Sequence, residues 1–484
     1  MTDTTTTDLA APDAGLPGGW QMVIGLEVHC ELSTATKLFC GCPNQFGSEP
    51  NTNVCPVCLG LPGSLPVAND AAVTYAMRLG RALHCEVKPS VFARKNYFYP
   101  DQPKDYQISQ FDQPTNIEGW LELPDGIRIG IERAHIEEDT GKTSHVGGGG
   151  RIHEAGYSLV DYNRAGVPLV EIVGKADLRT PEQARQYVAE LRSIILAIEV
   201  SDAKMEEGSM RVDANVSVRK ADEPYGTRCE IKNLNSLRSL VRALDYEARR
   251  QIELLEDGER VIQQTRHWDE ADGRTHTLRS KEEADDYRYF AEPDLVPLDP
   301  SAETLAAIDA SIPTLPADRR QALATAAGVT PVEAAMAVER GLDDLALAAI
   351  EAGANPARVM THVEHNLAAD EAVRLDAANF AGLVTMETSG ELTATQAKQV
   401  LAEMVETGGE PGAIAAARGF EAMETGALES LVDEAIAADP EAWAKFCAGD
   451  AKVTGAFVGY VMKATKGQAD GKAVTELLRR RAAG

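Results

Sequence analysis

The sequence predicts an α+β protein in which a β-rich domain is followed by helical domains. Residues 20–298 alternate apolar and polar residues between Gly, Pro and Asn turn signals, which is typical of half-buried strands. From about residue 300 the composition changes to Ala, Leu and Glu with few aromatics, as in VEAAMAVERGLDDLALAAIEAG, which indicates short helices. A chain of 484 residues is too long for one ordinary core, so we expect two or three domains.

Proline and glycine clusters mark the expected domain boundaries. EPDLVPLDP carries three prolines in nine residues, and ETGGEPGA interrupts the helical pattern further on. The expected divisions are a disordered leader (1–19), a β-rich domain (20–298), a helical domain (299–408) and a helical tail domain (409–484). The leader contains acids but neither Lys nor Arg and has no apolar run, which argues against a signal peptide.

The composition indicates a soluble, cytoplasmic protein. Hydrophobic residues make up 44% and charged residues 25% of the chain, and no run of eighteen apolar residues predicts a membrane span. The eight cysteines include closely spaced pairs, which in a large unsecreted chain favour metal ligation over disulfides.

Charge is distributed unevenly. The net charge of −28 argues against a general nucleic-acid binder, because phosphate contacts require Lys and Arg. Residues 301–451 hold 8 bases against 25 acids, whereas residues 452–484 hold 7 bases against 2 acids. The tail is therefore the segment where a polyanion would bind. Its candidate residues are Lys463, Lys466, Arg479, Arg480 and Arg481.

The segment MVIGLEVHCEL predicts a strand with one chemically active face. Ile24, Leu26, Val28 and Cys30 alternate with Gly25, Glu27, His29 and Glu31. A period of two places Glu27 and His29 on one face, where a carboxylate and an imidazole can share a divalent cation. Cys30 falls on the opposite, apolar face, so we expect a core residue rather than a nucleophile. The alternative for the polar face is a solvated strand surface.

Further predicted strands also present acids. One carries Glu137, Glu138 and Asp139, with Lys142 just beyond it, and a second carries Glu171. A third places Arg211, Asp213, Asn215 and Ser217 on one strand face. An acid such as Glu171 inside an apolar strand is costly unless it is paired or bound to metal. Several such strands favour a sheet surface that binds Mg²⁺ through oxygen ligands, and nucleotide chemistry is the natural use of that ion. Ion-paired edge strands are the alternative.

A basic and aromatic segment lies at residues 93–110, ARKNYFYPDQPKDYQISQ. Its basic residues and four aromatic residues suit phosphate contact and nucleotide stacking. The alternative is that the segment simply packs under the sheet. Gly141-Lys142-Thr143 is not the end of a Walker A loop, because position 136 is Ile where that motif requires Gly. No GxSxG or other glutaminase-like nucleophile motif occurs.

The cysteines Cys40, Cys42, Cys55 and Cys58 have the spacing C-x-C-x12-C-x2-C. Four thiolates satisfy tetrahedral Zn²⁺ completely, so the spacing favours a closed structural site without a position for substrate. Redox thiols or a loop without metal are the alternatives.

These segments, taken in order, resemble one known family. GLEVHCEL, the cysteine cluster, RKNYFYPDQPKDYQISQ, HIEEDTGK, SLVDYNRAGVPLVEIV, KMEEGSMRVDANVSVR, EIKNLNSLRSL and DDYRYFAEPDLVPL are similar to the B subunits of bacterial tRNA-dependent amidotransferases. The tail segment AFVGYVMKATKGQADGKAVTELL resembles that family's C-terminal helical module. The resemblance covers nearly the whole chain.

The resemblance implies a fold and a reaction. The first domain would be a glutamine-synthetase-like cradle on an antiparallel sheet, and the helical and tail domains would hold tRNA. The protein would phosphorylate the side-chain carboxylate of Glu-tRNA(Gln) or Asp-tRNA(Asn) with ATP and Mg²⁺, and ammonia would then displace the phosphate. An amidase (A) subunit would supply ammonia through a channel, and a small C subunit would stabilise the pair. A stand-alone amino-acid ligase and a non-catalytic tRNA-binding scaffold are the alternatives.

The resemblance also implies site residues. Glu27, His29, Glu138 and Glu171 would be catalytic and hold Mg²⁺, with Glu207 as a further ligand. Nucleotide binding would fall to Lys95, Tyr97, Lys142, Arg164 and Asp213. Zinc at the four cysteines would be structural.

Overall fold

The computed structural model describes residues 15–147, 155–280, 287–368, 375–420, 425–465, 469 and 471–483. The chain divides into two compact units, Met1–Ala317 and Asp318–Gly484. Every helix within the described ranges is too short or too polar to cross a lipid bilayer. Most of the expected leader, residues 1–14, lies outside the described residues.

The first unit is built on a large sheet and two small ones. Its strands are β1 (Trp20–Glu31), β2 (Glu86–Val87), β3 (Ala93–Asn96), β4 (Tyr106–Ser109), β5 (Asn116–Glu122), β6 (Arg128–Glu138), β7 (Lys142–Val146), β8 (Tyr157–Asp161), β9 (Pro168–Gly174), β10 (Met210–Lys220), β11 (Cys229–Leu234), β12 (Gln264–Asp269), β13 (Arg274–Ser280) and β14 (Phe290–Ala291). The large sheet has the order β13-β12-β11-β10-β1-β9-β6-β5-β2 in the described part of the chain. The small sheets are β14-β3-β4 and β7-β8.

Four helices belong to the first unit. They are α1 (Asp70–Ala82), α2 (Pro181–Ala197), α3 (Leu237–Glu256) and α4 (Ala302–Ala310). Each begins at a polar residue whose side chain accepts backbone N–H groups of the first turn: Asn69, Thr180, Ser236 and Ser301. The buried faces of these helices pack with the apolar side chains of the sheet in one continuous core.

Strand β1 lies near the centre of the large sheet and has the predicted alternation. Met22, Ile24, Leu26, Val28 and Cys30 are buried in the core, whereas Glu27 and His29 are only partly buried on the other face. Cys30 is fully buried, which confirms it as a core residue.

The prediction of an α+β fold is confirmed, but the sheet is mixed rather than wholly antiparallel. Strands β11 and β12 pair in parallel, while the other neighbouring strands of the large sheet pair antiparallel. The physical reason is helix α3, which connects β11 to β12 and returns the chain to the same end of the sheet.

The described residues from Pro316 onward form helices and their connections. The helices are α5 (Pro316–Ala327), α6 (Pro331–Glu339), α7 (Asp343–Glu351), α8 (Pro356–His365), α9 (Ala377–Thr388), α10 (Ala394–Thr407), α11 (Pro411–Ala417), α12 (Thr425–Ala438), α13 (Pro440–Cys447), α14 (Thr454–Ala464) and α15 (Gly471–Ala483). One apolar core extends from Leu323 to Ala415 and a separate one from Val432 to Leu478.

Two helices lie close to the expected domain boundaries. Helix α4 lies within the first unit. Its Ile308 is buried in the core of that unit, and its Asp309 lies 2.7 Å from Arg81 of α1. Helix α11 packs against α9 and α10 and contributes Ile414 to the first of the two helical cores. The domain ranges 20–298, 299–408 and 409–484 stay a prediction.

Candidate active site

The polar face of the large sheet brings acids and histidines from neighbouring strands together. In the β1–β9 ladder His29 lies opposite Glu171, and in the β6–β9 ladder His135 lies opposite the same residue. On the other side of β1, Glu27 lies opposite Asp213 of β10. Because cross-strand partners point to the same face, these side chains form one polar row across four strands.

Three side chains that could together bind a metal ion lie at the centre of this row: His29, Glu137 and Glu171, called the metal-type group below. One ligand atom each from His29, Glu137 and Glu171 lies within 4.8 Å of the other two. His135 lies beside them, with its Nε2 atom 3.2 Å from Glu171 Oε2 and 3.3 Å from Glu137 Oε1. An imidazole and two carboxylates from three strands are a donor set that fits a divalent cation.

His135 keeps the two carboxylates ionised. Burial alone would lower the pKa of His135, but its hydrogen bonds to Glu137 and Glu171 outweigh burial and raise the pKa to about 9. Burial would conversely raise the pKa of both carboxyl groups, yet the bond to His135 lowers both values. Ser109 Oγ also donates to Glu137 Oε1 at 2.6 Å. The group therefore presents anionic oxygens at neutral pH.

Glu27 lies next to this group in a strongly anionic environment. Burial raises its pKa, and the charges of Glu171, Glu230 and Asp213 raise it further. Asn215 Nδ2 donates to Glu27 Oε1 at 2.9 Å. A cation or a proton at this position would relieve the repulsion among the carboxylates.

Asp213 and Glu207 have partners of their own. Lys232 Nζ lies 2.5 Å from Asp213 Oδ2. Glu207 is exposed in the turn before β10, where it pairs with Lys204 at 2.9 Å. The structure therefore does not bring Glu207 to the other predicted Mg²⁺ ligands.

Glu138 points to the opposite face of β6 from Glu137. It pairs with the Lys104 ammonium group and accepts a hydrogen bond from the Ile108 backbone N–H at 2.8 Å. Both charged side chains are almost fully buried, and they line a cavity together with Phe39. The structure thus places Glu138 apart from His29 and Glu171, although the family resemblance groups them.

Arg164 belongs to a second charged cluster. Its Nε atom lies 3.6 Å from Asp139 Oδ2 and donates to Thr140 O at 3.0 Å. Arg211 Nη2 lies 2.6 Å from the same Asp139 oxygen. Burial and the neighbouring Asp139 charge raise the pKa of Glu31 to about 8, whereas the charges of Arg211 and Arg164 lower the pKa of Asp139 against the effect of burial.

The other predicted nucleotide-binding residues are spread over several elements. Lys95 Nζ lies 4.9 Å from the centre of the Tyr287 ring, and its charge contributes to the lowered pKa of Glu137 and Glu171. Tyr97 packs on Tyr99, with ring centres 4.7 Å apart. Lys142 is exposed at the start of β7. Of this set, Lys95 is the one whose charge acts on the metal-type group.

The four cysteines of the loop after β1 converge. Their sulfur atoms lie within 4.8 Å of one another, and all eight cysteines of the chain are free thiols. The thiol of Cys40 donates to Cys58, which lowers the pKa of Cys58 to about 5, and the Cys55 backbone N–H donates to the same sulfur at 3.1 Å. Four converging sulfurs fit a tetrahedral Zn²⁺.

The basic residues of the tail are exposed on α14 and α15. Lys463, Arg479 and Arg480 are exposed, with Arg480 paired to Glu476 one turn away at 3.1 Å. Arg481 instead pairs with two acids of α12, at 2.9 and 3.5 Å. The expected residue Lys466 lies outside the described residues.

Glu137 is one of the acids of a predicted strand but is absent from the site residues that the resemblance implies, and its partner His135 is absent from both. The signal is present in RAHIEED, because Ala134 and Ile136 are apolar and a period of two then puts His135 and Glu137 on the polar face. The same rule places Glu138 on the apolar side, where the structure has it.

The fold and the site define a class of protein: an α+β protein with a histidine–carboxylate metal-type site on the polar face of a large sheet, followed by helical cores. Comparison with known families supplies the particular relationship. Residues 22–306 match the GatB/GatE catalytic domain, and residues 357–481 match the GatB domain.

Curated relatives match the chain over nearly their whole length. A protein of Frankia casuarinae is 50% identical over 97% of this chain and 98% of its own, and one of Salinispora arenicola is 49% identical over 98% of each. Both carry the name of the B subunit of aspartyl/glutamyl-tRNA(Asn/Gln) amidotransferase. The chain therefore belongs to the family of amidotransferase B subunits, and the predicted family is confirmed.

Proposed function

We propose that this chain activates the side-chain carboxylate of Glu-tRNA(Gln) or Asp-tRNA(Asn) with ATP and converts it to the amide. The observation that carries the proposal is the group of His29, Glu137 and Glu171, in which Glu137 is buried and the other two are partly buried, on the polar face within the segment that matches the family's catalytic domain. A carboxylate is a poor acyl donor, since oxide would have to leave. Phosphorylation turns that oxygen into a leaving group.

The reaction proceeds in two displacements. The substrate carboxylate attacks the γ-phosphorus of ATP, and the bond to the β-phosphate oxygen breaks to leave ADP and an acyl phosphate. Ammonia then attacks the acyl carbon, phosphate leaves, and one proton is lost from nitrogen. Neither displacement needs a covalent enzyme nucleophile, which agrees with a site made of positioned acids and bases.

His29, Glu137 and Glu171 would hold Mg²⁺, with Glu27 adjoining. The ion would supply neutralisation of the phosphate charge. His135 holds Glu137 and Glu171 ionised and oriented through its two hydrogen bonds. Lys95 adds positive charge near the same group, where it would also attract phosphate oxygens.

Glu27 is suited to accept the proton that ammonia loses. Its pKa is raised by burial and by three neighbouring carboxylates, so it binds a proton more readily than an ordinary glutamate. Arg164 and Lys142 would contact the nucleotide from the strand ends, and Tyr97 would stack on it.

Ammonia must come from a partner. The sequence carries no glutaminase-like nucleophile motif, so an amidase subunit would hydrolyse glutamine and a small third subunit would stabilise the assembly. The exposed bases of α14 and α15 would contact the tRNA backbone. The four cysteines would hold a structural Zn²⁺ that fixes the chain where β1 ends.

Replacing either carboxylate of the metal-type group should abolish product formation. Glu137→Gln and Glu171→Gln remove an anionic ligand while preserving shape, and we expect a rate loss of about 100-fold or more with tRNA affinity nearly unchanged. Formation of amidated aminoacyl-tRNA by the reconstituted complex is the measurement. Glu207→Gln is the matched control and should keep its activity. Full activity in both site variants would exclude this group as the catalytic centre.

Cysteine replacement should reduce stability rather than chemistry. Cys58→Ser removes one zinc ligand, so we expect loss of bound zinc and an unfolding temperature lower by about 5 °C or more. The rate per folded molecule should remain close to that of the unchanged protein. Cys447→Ser, at an exposed cysteine outside the cluster, serves as control. A large rate loss at unchanged stability would instead assign the cluster a catalytic role.

Neutralising exposed tail bases should weaken tRNA binding in a salt-dependent way. With Lys463, Arg479 and Arg480 replaced by Gln, the slope of log affinity against log salt should become shallower by about 2, because fewer counterions are released. Binding measured at several salt concentrations tests this. Arg418→Gln, which lies outside the basic segment 452–484 and pairs with Glu403, should leave the slope unchanged. An unaltered slope in the triple variant would remove the tail from the binding surface.

A further inference from the structure

A second group of metal-type side chains lies in the hairpin β12–β13, at the outer edge of the large sheet. One ligand atom each from Asp269, Asp272 and His276 lies within 4.8 Å of the other two. Asp269 ends β12, Asp272 lies in the turn, and His276 lies in β13. The group therefore joins both strands and the turn of the hairpin.

The local hydrogen bonds orient these side chains. His276 Nε2 lies 2.7 Å from Asp272 Oδ2. The other oxygen of Asp272 accepts from the Arg274 backbone N–H at 2.9 Å, and Asp269 Oδ1 accepts from the Ala271 backbone N–H at 2.9 Å. The Oδ2 atom of Asp269 lies outside these bonds, whereas at Asp272 a metal ion would replace the hydrogen bond to His276 and take both of its atoms as ligands.

The strand register places this group on the polar face of the sheet. His267 lies opposite Lys232 of β11 and opposite His276 of β13, and the two imidazole rings are 5.5 Å apart. The intervening Trp268 is buried in the core on the helical side. Asp269, two residues after His267, therefore shares the polar face with both histidines.

We propose that Asp269, Asp272 and His276 bind a divalent transition-metal ion of the zinc class, with water completing its coordination. One imidazole with two carboxylates is a donor set that binds Zn²⁺, Co²⁺ or Ni²⁺. Three protein ligands leave a position open to solvent, since the group lies at the surface.

This site is distinct from the group at the sheet centre. Strand β12 is separated from β1 by β11 and β10, which corresponds to roughly 14 Å at the usual strand spacing. The ion would tie the hairpin turn to both of its strands and so fix the end of the sheet. Its binding would also place a positive charge on the polar face that the central acids share.

The test uses the full chain, with zinc alone as the probe and the cysteine cluster already loaded. Equilibrium dialysis should give one more zinc per chain in the unchanged protein than in His276→Gln. Asp272→Asn should weaken that extra site by about tenfold or more. His145→Gln, which alters a histidine of the β7–β8 hairpin, is the matched control and should keep the extra zinc.

Two outcomes would overturn the proposal. One is equal zinc stoichiometry and affinity in the unchanged protein and in His276→Gln. The other is disappearance of the difference between them when both carry Glu171→Gln, because the extra ion would then belong to the central group. Circular dichroism confirms folding of each variant, which we expect because His276 is 39% exposed.

Discussion

Carboxylates buried side by side in a sheet require compensating positive charge, and the polar face of this sheet is organised around that requirement. Glu137 and Glu171 are stabilised by His135, which lies between them and bonds to both. Asp139 is stabilised by Arg211 and Arg164. At Glu27 burial and the neighbouring carboxylates dominate, and its pKa rises instead. The arrangement holds strong anionic ligands at the centre of the face and readily protonated acids beside them.

The same constraint separates the two neighbouring glutamates at the end of β6. Glu137 belongs to the metal-type group, whereas Glu138 is neutralised by Lys104 in a buried pair on the other face. The cavity next to that pair is also lined by Cys40 and Cys58. The cysteine cluster therefore adjoins the buried pair of Glu138 and Lys104 at the end of β6.

Much of this organisation is readable from the sequence. The period of two in GLEVHCEL places Glu27 and His29 on one face, and the change in composition near residue 300 predicts the transition to helices. The family resemblance supplies the reaction but groups Glu138 with His29. The period of two in HIEED selects Glu137 instead, because Ile136 is apolar.

The rest depends on contacts that sequence spacing does not encode. Glu171 reaches both His29 and His135 only because β9 pairs between β1 and β6. The parallel pairing of β11 and β12, and with it the meeting of His267 and His276, depends on where helix α3 returns the chain. Long-range register of this kind follows from packing of the whole sheet rather than from local pattern.

The central claim is that the polar face activates a carboxylate carried by tRNA. ATP hydrolysis by the purified amidotransferase complex tests it most directly, in the presence of Glu-tRNA(Gln), Asp-tRNA(Asn), uncharged tRNA or free glutamate. We expect misacylated tRNA to stimulate hydrolysis, whereas free glutamate and uncharged tRNA should not. Equal stimulation by free glutamate would contradict it and would indicate a ligase that acts on the free amino acid.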